Sequence, residues 1–270
     1  MEHPVFGFIG CGNMGGALAR AACRGLDSPE QVLLANRTPQ KAQLLAAQLG
    51  CQVCTNLQAA EQSDFLFLGV KPQMMRAMLA ELQPVLAQRA GQVVLVSMAA
   101  GLTVSTIQEM AGGRWPVIRI MPNTPVAVGQ GMVLYTAQGV SQTLLHDFLA
   151  VMAPAGRFDE LPENLLDAGS AVAGCGPAFA CLFMEALADG GVACGLPRAK
   201  ALQYAAQMLV GTACLALEGG EHPAVMKDAV CSPGGSTIQG VRALEAGGLR
   251  TAVFEAVLAA WQKTRQLADQ

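Results

Sequence analysis

The sequence predicts an α/β fold: a parallel sheet covered by helices on both faces over residues 1–160, then an all-helical segment over 161–270. Three observations predict it. Short, nearly unbroken apolar runs alternate with helix-length stretches early in the chain, the pattern of strands buried on both sides. A glycine-rich turn follows the first run and opens the first helix. Strand signals fade near Arg157–Glu163, and successive helical stretches take over.

Each element follows from its local pattern. Val5–Ile9, Val32–Ala35, Phe65–Gly69, Val93–Ser97 and Val117–Ile120 read as buried strands, with Gln52–Cys54 a weaker sixth. Asn13–Arg24, Pro39–Leu49, Gln73–Leu86 and Thr103–Met110 read as the helices between them. Later helices are expected over Asn164–Gly190, Pro197–Glu218, Pro223–Val230 and from Thr237 to the C-terminus. Breaks are expected at Gly190-Gly191, Gly195-Leu196-Pro197, Gly219-Gly220 and Pro233-Gly234-Gly235.

Composition narrows the function. Apolar residues make up 52% and charged residues 14% of the chain, enough apolar surface for a core and an apolar subunit interface, and too much for disorder. A net charge of −3 offers no basic patch, so nucleic acid is not an expected partner. Val5–Ile9 runs straight into glycines with no cationic lead, so it reads as a strand and not as a signal peptide. The stretch Ala168–Met184 falls short of the roughly 20 residues of a membrane span and contains Gly174, Gly176 and Pro177. No membrane partner and a cytoplasmic location are expected. Nine cysteines, an odd number without a secretory context, read as reduced, buried thiols. Cys51 and Cys54 are expected on opposite faces of a strand, and no zinc site is completed, so no metal is expected.

Gly10-Cys11-Gly12-Asn13-Met14-Gly15 fits G-x-G-x-x-G in its proper context, after a strand and opening a helix. Gly10 allows the tight turn, Gly12 lets a pyrophosphate reach the backbone, and Gly15 permits close helix–strand packing. A Rossmann dinucleotide-binding domain is therefore expected. At the end of the second strand, where a carboxylate would favour NAD, stand Asn36, Arg37 and Thr38. Arg37 and the Thr38 hydroxyl suit a 2′-phosphate, so NADP(H) is preferred and NAD(H) possible. Loops after later strands should face the same crevice: Val70-Lys71-Pro72, Met98-Ala99-Ala100-Gly101 and Met121-Pro122-Asn123-Thr124-Pro125.

A second glycine-bearing helix start lies far downstream. Ser232-Pro233-Gly234-Gly235-Ser236-Thr237 is a loop of small residues leading into a helix, whose free N–H groups would suit a carboxylate. Hydroxyls of Ser232, Ser236 and Thr237 can add hydrogen bonds. Plain helix capping by Ser and Thr is the competing reading. No histidine stands out as catalytic: His3 is terminal, His146 falls on a surface helix, and His222 precedes Pro223 in a turn. Glu185 and Asp189 share a helix face, as solvated or paired acids.

These motifs together resemble the pyrroline-5-carboxylate reductase family along nearly the whole chain. Carrying the resemblance are Phe8–Gly15, Val70–Pro72, Met121–Pro125, Gly174–Phe179 and, most specifically, Asp228–Gly240. The resemblance implies reduction of 1-pyrroline-5-carboxylate to proline by NADPH or NADH, the last step of proline biosynthesis. It also implies an all-α C-terminal dimerisation domain, in a homodimer or a higher oligomer built from dimers. By the family's pattern Asn56 and Val70-Lys71-Pro72 touch the cofactor, while Ser232, Gly234, Gly235 and Ser236 seat the substrate carboxylate. Thr237 then stands near the imine nitrogen. Where the family has Ser-Gly-Ser-Gly-Pro-Ala, this chain has Ala173 and Cys175 at the two serine positions, so those hydroxyls are missing. A hydroxyacid dehydrogenase with a helical second domain would carry a catalytic lysine, and Arg157–Gly195 contains none.

Overall fold

The computed structural model describes residues 3–89 and 91–268. Phe6–Ile9 forms β1, a fully buried strand that ends at the glycine turn and leads into α1, Asn13–Gly25. Then follow β2 (Val32–Ala35), α2 (Pro39–Leu49), β3 (Gln52–Val53), α3 (Asn56–Gln62), β4 (Phe65–Leu68) and α4 (Pro72–Gln88). After these come β5 (Val94–Ser97), α5 (Val104–Met110), β6 (Val117–Met121), β7 (Gly131–Gln138), α6 (Gln142–Met152) and β8 (Gly156–Glu160). The sheet order is β3-β2-β1-β4-β5-β6-β7-β8. The first six strands run parallel in the order 3-2-1-4-5-6 of a dinucleotide-binding sheet.

The pleat sorts the core. Phe65 and Phe67 of β4 join Phe6 and Phe8 of β1 on one face, with centroids of Phe6 and Phe65 4.8 Å apart and of Phe8 and Phe67 4.2 Å apart. Residues of α1, α2 and α6, Phe148 among them, cover that face. Leu66 and Leu68 point the other way, into Ile9, Met75, Leu79 and Leu82, under α3, α4 and α5. Each buried Phe or Leu contributes about 2–3 kcal/mol, and the aromatic pairs about 1 kcal/mol more.

Several expectations are corrected. The sheet has eight strands where six were read, and it is not wholly parallel: β7 runs antiparallel to β6. Residues 164–190 do not form one helix. A 3-10 turn, Glu163–Leu165, leads into α7 (Leu166–Ala173), and α8 (Gly176–Ala193) restarts beyond Gly174-Cys175. Gly190-Gly191 does not break α8, because a side chain at Gly191 would crowd Ala201 of α9 (Arg198–Gly219) at 3.1 Å; the glycine serves a close helix approach. After α10 (Pro223–Val230), the last stretch splits into α11 (Ser236–Ala246) and α12 (Leu249–Ala268) at Gly247-Gly248. Cys51 and Cys54 flank β3 and do not lie on it. The apolar helical stretch Glu163–Ala193, with a window of mean hydropathy 1.6, is long enough by composition to cross a membrane, so length alone does not exclude it.

The chain divides into two compact units, one of residues 1–175 with 260–270, the other of residues 176–259. The first holds the sheet and α7. The second is helical, built on the α8–α9 hairpin, and its buried residues are Ala188, Ala201 and Ala205. It leaves Leu182, Leu215 and Phe254 each more than 60% exposed.

Candidate functional site

The three glycines of the first loop have separate jobs. Gly10 sits at φ +106, and a Cβ on it would lie 2.4 Å from the carbonyl oxygen of Gly69, where β1 and β4 converge. A Cβ on Gly15 would lie 2.0 Å from the carbonyl oxygen of Gly10. Gly12 is the contrast: a Cβ there meets nothing within 4 Å. Gly12 is also the N-cap of α1, with no side chain capping it, so the first N–H groups of the helix are available to a ligand. Asn13 is exposed and Met14 half-buried beside them. An open cradle over unpaired N–H groups, with no carboxylate in the first turn, fits a dinucleotide pyrophosphate.

The end of β2 is tied to that loop. Asn36 Oδ1 accepts from the Cys11 N–H at 2.9 Å, and Asn36 Nδ2 donates to the Thr38 carbonyl at 2.9 Å. Asn36 thus positions the glycine turn and its own loop. Arg37 is exposed, its guanidinium 3.9 Å from the Met74 sulfur. Thr38 is the N-cap of α2 but makes no side-chain cap bond, so its hydroxyl is free for a ligand. Lys41, in the first turn of α2, lines a groove with Gly12 and Asn13.

The remaining loops divide into ligand-facing and structural parts. Asn56 is half-buried at the start of α3, which Thr55 and Gln58 close with a reciprocal capping box. Lys71 is the exposed N-cap of α4, with half-buried Val70 before it and Pro72 in the first helical position. Ala99 is buried and Ala100 half-buried in the turn after β5. Asn123 is committed to the fold: Nδ2 donates to the Ala173 carbonyl at 2.9 Å and Oδ1 accepts from the Met132 N–H at 3.0 Å. Its amide therefore joins the end of β6 to β7 and α7.

Arg119, a lone cation in the apolar run of β6, is 2% exposed. It binds Glu163 at 3.2 Å and Asp167 at 3.0 Å, while Glu163 also accepts from the Val104 N–H at 2.7 Å. A buried charge must be paired, and this one fastens β6 to the start of α7. A charged residue inside an otherwise apolar strand was the signal for it.

In the second unit, the loop after α10 leads into α11 without a side-chain cap. Gly234 takes φ +71, and Gly235 is the N-cap of α11, with no side-chain cap bond. Ser236 and Thr237 occupy the first two helical positions, exposed, and neither hydroxyl caps the helix. A Cβ on Gly235 would lie 2.4 Å from the Ser232 hydroxyl, which can rotate aside, and 3.1 Å from the Ser232 carbonyl oxygen, a tight backbone contact. The result is a second helix start with open N–H groups and free hydroxyls, chemically suited to a small carboxylate.

Other candidates fall to structural uses. His222 is the N-cap of α10, its Nδ1 accepting from the Ala224 N–H at 3.2 Å. His146 is exposed on α6. Asp189 pairs with Arg198. Among the described residues no His, Cys, Asp and Glu cluster fits a metal. Burial pushes the Cys11 thiol up to about 12 and Cys54 to about 11. The Cys23 thiol, hydrogen-bonded to Cys51, is also raised. The expectation that all thiols are buried is corrected: Cys181, Cys194 and Cys214 are exposed.

Comparison with known proteins converges on one family. Residues 163–267 match the family model for pyrroline-5-carboxylate reductase dimerisation, and residues 5–101 the model for NADP oxidoreductase, coenzyme F420-dependent. The chain is 41% identical to pyrroline-5-carboxylate reductase of Synechocystis over 98% of both chains. It is 38% identical to that of Escherichia coli over 99% of both. The crystal structure of Plasmodium falciparum pyrroline carboxylate reductase with NADP bound superposes with a TM-score of 0.88, at 28% identity over 99% of each chain. A Rossmann sheet, a helical C-terminal half and identity of this extent along the full length lead to one assignment: the chain belongs to the pyrroline-5-carboxylate reductase family.

Proposed function

We propose that this chain performs its family's reaction with the residues described above, holding NADP(H) on its first glycine loop and the substrate carboxylate on its second. The reaction is reduction of 1-pyrroline-5-carboxylate to proline, and the chain is an NAD(P)H-dependent oxidoreductase. Bound NADPH supplies the hydride. The open N–H groups behind Gly12, Asn13 and Met14 hold the pyrophosphate, with Gly10 shaping the turn. Arg37 and the Thr38 hydroxyl receive the 2′-phosphate, so NADPH is preferred over NADH. Asn56, Val70, Lys71, Pro72, Ala99, Ala100 and Asn123 border the ribose and nicotinamide.

The substrate loop carries the proposal. Ser232, Gly234, Gly235 and Ser236 grip the carboxylate through the N–H groups of the loop and helix start, apart from that of Gly235, which donates to the Ser232 carbonyl at 3.0 Å, and through hydroxyls that no capping bond consumes. Thr237 donates to the ring nitrogen, or orients a water toward it, as hydride arrives at the imine carbon. Little acid–base chemistry is required, since an iminium accepts hydride readily; positioning of the two carbons supplies most of the acceleration. That accords with histidines being spent on capping and solvation.

Residues 161–270 form the dimerisation and substrate domain in this reading, and 1–160 the cofactor domain. The exposed Leu182, Leu215 and Phe254 are covered by a second copy in a homodimer, or in a larger assembly of dimers, and the protein works in the cytoplasm. The deciding experiment is NADPH oxidation by the purified chain with pyrroline-5-carboxylate. Saturable turnover is expected; turnover with hydroxy- or keto-acids alone, or cofactor binding without turnover, overturns the proposal.

A further inference from the structure

Two side-chain pairs join α1 to α2 and the turn beyond it. Arg20 of α1 donates to Gln48 of α2. Three residues farther along both segments, the Cys23 thiol is hydrogen-bonded to the Cys51 sulfur. Gly50 ends α2 at φ +76 and turns the chain, which brings Cys51 back against α1. Both cysteines pack on the aromatic core of that face yet stay half-buried. Exposed Arg24 and Gly25 flank one of them, and exposed Gly50 and Gln52 the other, so a small reagent can reach the pair from solvent. The neighbouring thiols differ in character. Burial raises Cys11 to about 12 and Cys54 to about 11, which holds both as inert thiols. The hydrogen bond from Cys23 instead holds Cys51 below the usual thiol range and leaves the proton on Cys23. One member of the pair is thus suited to attack, with a second sulfur already in contact with it.

We propose that Cys51 and Cys23 are a thiol–disulfide exchange site for low-molecular-weight disulfides, which oxidise the pair to a bond that staples α1 to the turn after α2. The Cys51 thiolate attacks one sulfur of the small disulfide, whose other half leaves as a thiolate and takes up the Cys51 proton. Cys23 then gives up its proton and attacks the Cys51 sulfur, which forms the Cys23–Cys51 bond and expels the second small thiol. Two protein thiols are oxidised and one small disulfide is reduced to two thiols, so atoms and electrons balance. The new bond closes a loop of residues 23–51 that holds β2 and α2, and it restricts the unfolded chain more than the folded one. The site stands apart from the reduction chemistry and does not depend on which coenzyme binds.

Peptide mapping tests the site on the full, folded chain. Reduced wild type is incubated with oxidised glutathione, its remaining thiols are alkylated, and the digest is mapped by mass spectrometry beside a melting curve. A Cys23–Cys51 cross-link is expected, reversed by dithiothreitol, with Tm raised by about 5 °C. Cys23→Ser should stop at glutathione on Cys51, whereas Cys54→Ser should keep the cross-link. Absence of the cross-link from folded wild type overturns the proposal, as does a cross-link that leaves Tm where it was. Glutathione lodged on Cys51 with Cys23 still reduced, or a bond from Cys51 to Cys54 in place of Cys23, overturns it equally.

Discussion

Gly12 and Gly15 lie three positions apart in one motif, yet they answer to different constraints. A methyl on Gly15 would overlap the Gly10 carbonyl at 2.0 Å, a backbone atom that cannot swing aside. Gly15→Ala is expected to lower stability by about 2–4 kcal/mol, read as a fall in Tm. A methyl on Gly12 meets nothing within 4 Å, so Gly12→Ala should fold with unchanged Tm. On the proposed reading its methyl occupies the space through which a pyrophosphate reaches the backbone, and KM for NADPH should rise about tenfold or more. Equal effects of the two substitutions on Tm would contradict this division. At this scale the sequence was highly legible for glycines, whose roles follow from backbone geometry. It was less so for Asn123 and Asn36, whose amides turn out to bind the fold itself, because partner identity depends on loops distant in sequence.

At the scale of elements, β1, β2, β4, β5 and β6 were legible to within about a residue, since strands buried on both faces are continuous apolar runs. β8 was not: Gly156–Glu160 is a polar edge strand with three exposed residues and carries no such run. The helix α3 escaped notice although Thr55 and Gln58 spell its capping box. The start of α11 could not be read unaided, because Ser236 and Thr237 are ordinary capping types and only the fold reveals that Gly235 holds the cap position. From this comes an expectation for Thr237→Ala: kcat falls about tenfold while Tm and cofactor affinity stay nearly constant. A lowered Tm with unchanged kcat would return that hydroxyl to a helix-stabilising duty. The junction of β6 and α7 offers a second test. Arg119→Met leaves Glu163 and Asp167 facing each other without their cation, and a loss of about 3 kcal/mol in urea unfolding is expected. A loss below about 1 kcal/mol would mean that the pairing contributes little.

Across the whole molecule, apolar surface is distributed unevenly. The sheet unit has a double-sided core, whereas the helical unit buries only alanines and displays leucines and a phenylalanine. Such a surface needs a partner. Sedimentation of the wild type should therefore give a dimer or a multiple of it, and a lone monomer at micromolar concentration would refute the proposed dimer. Leu182→Asp and Leu215→Asp each remove an expected burial of about 2 kcal/mol and add a charge, and should shift mass toward the monomer with a lowered Tm. Composition led to the expectation of an apolar interface. The sequence could not say which helices carry it.

One small amide sets a rule for anyone retuning coenzyme choice. Asn36 holds the Cys11 N–H with its oxygen and the Thr38 carbonyl with its nitrogen. Exchanging it for aspartate, to install a carboxylate for an unphosphorylated ribose, keeps the first bond but turns the second into a clash of two acceptors. The swap would then loosen the turn beneath Arg37 and its tie to the glycine loop together, and with them the proposed hold on the dinucleotide. If Arg37 receives the 2′-phosphate as proposed, selectivity is better altered there, at an exposed side chain, than at the amide that ties the loop.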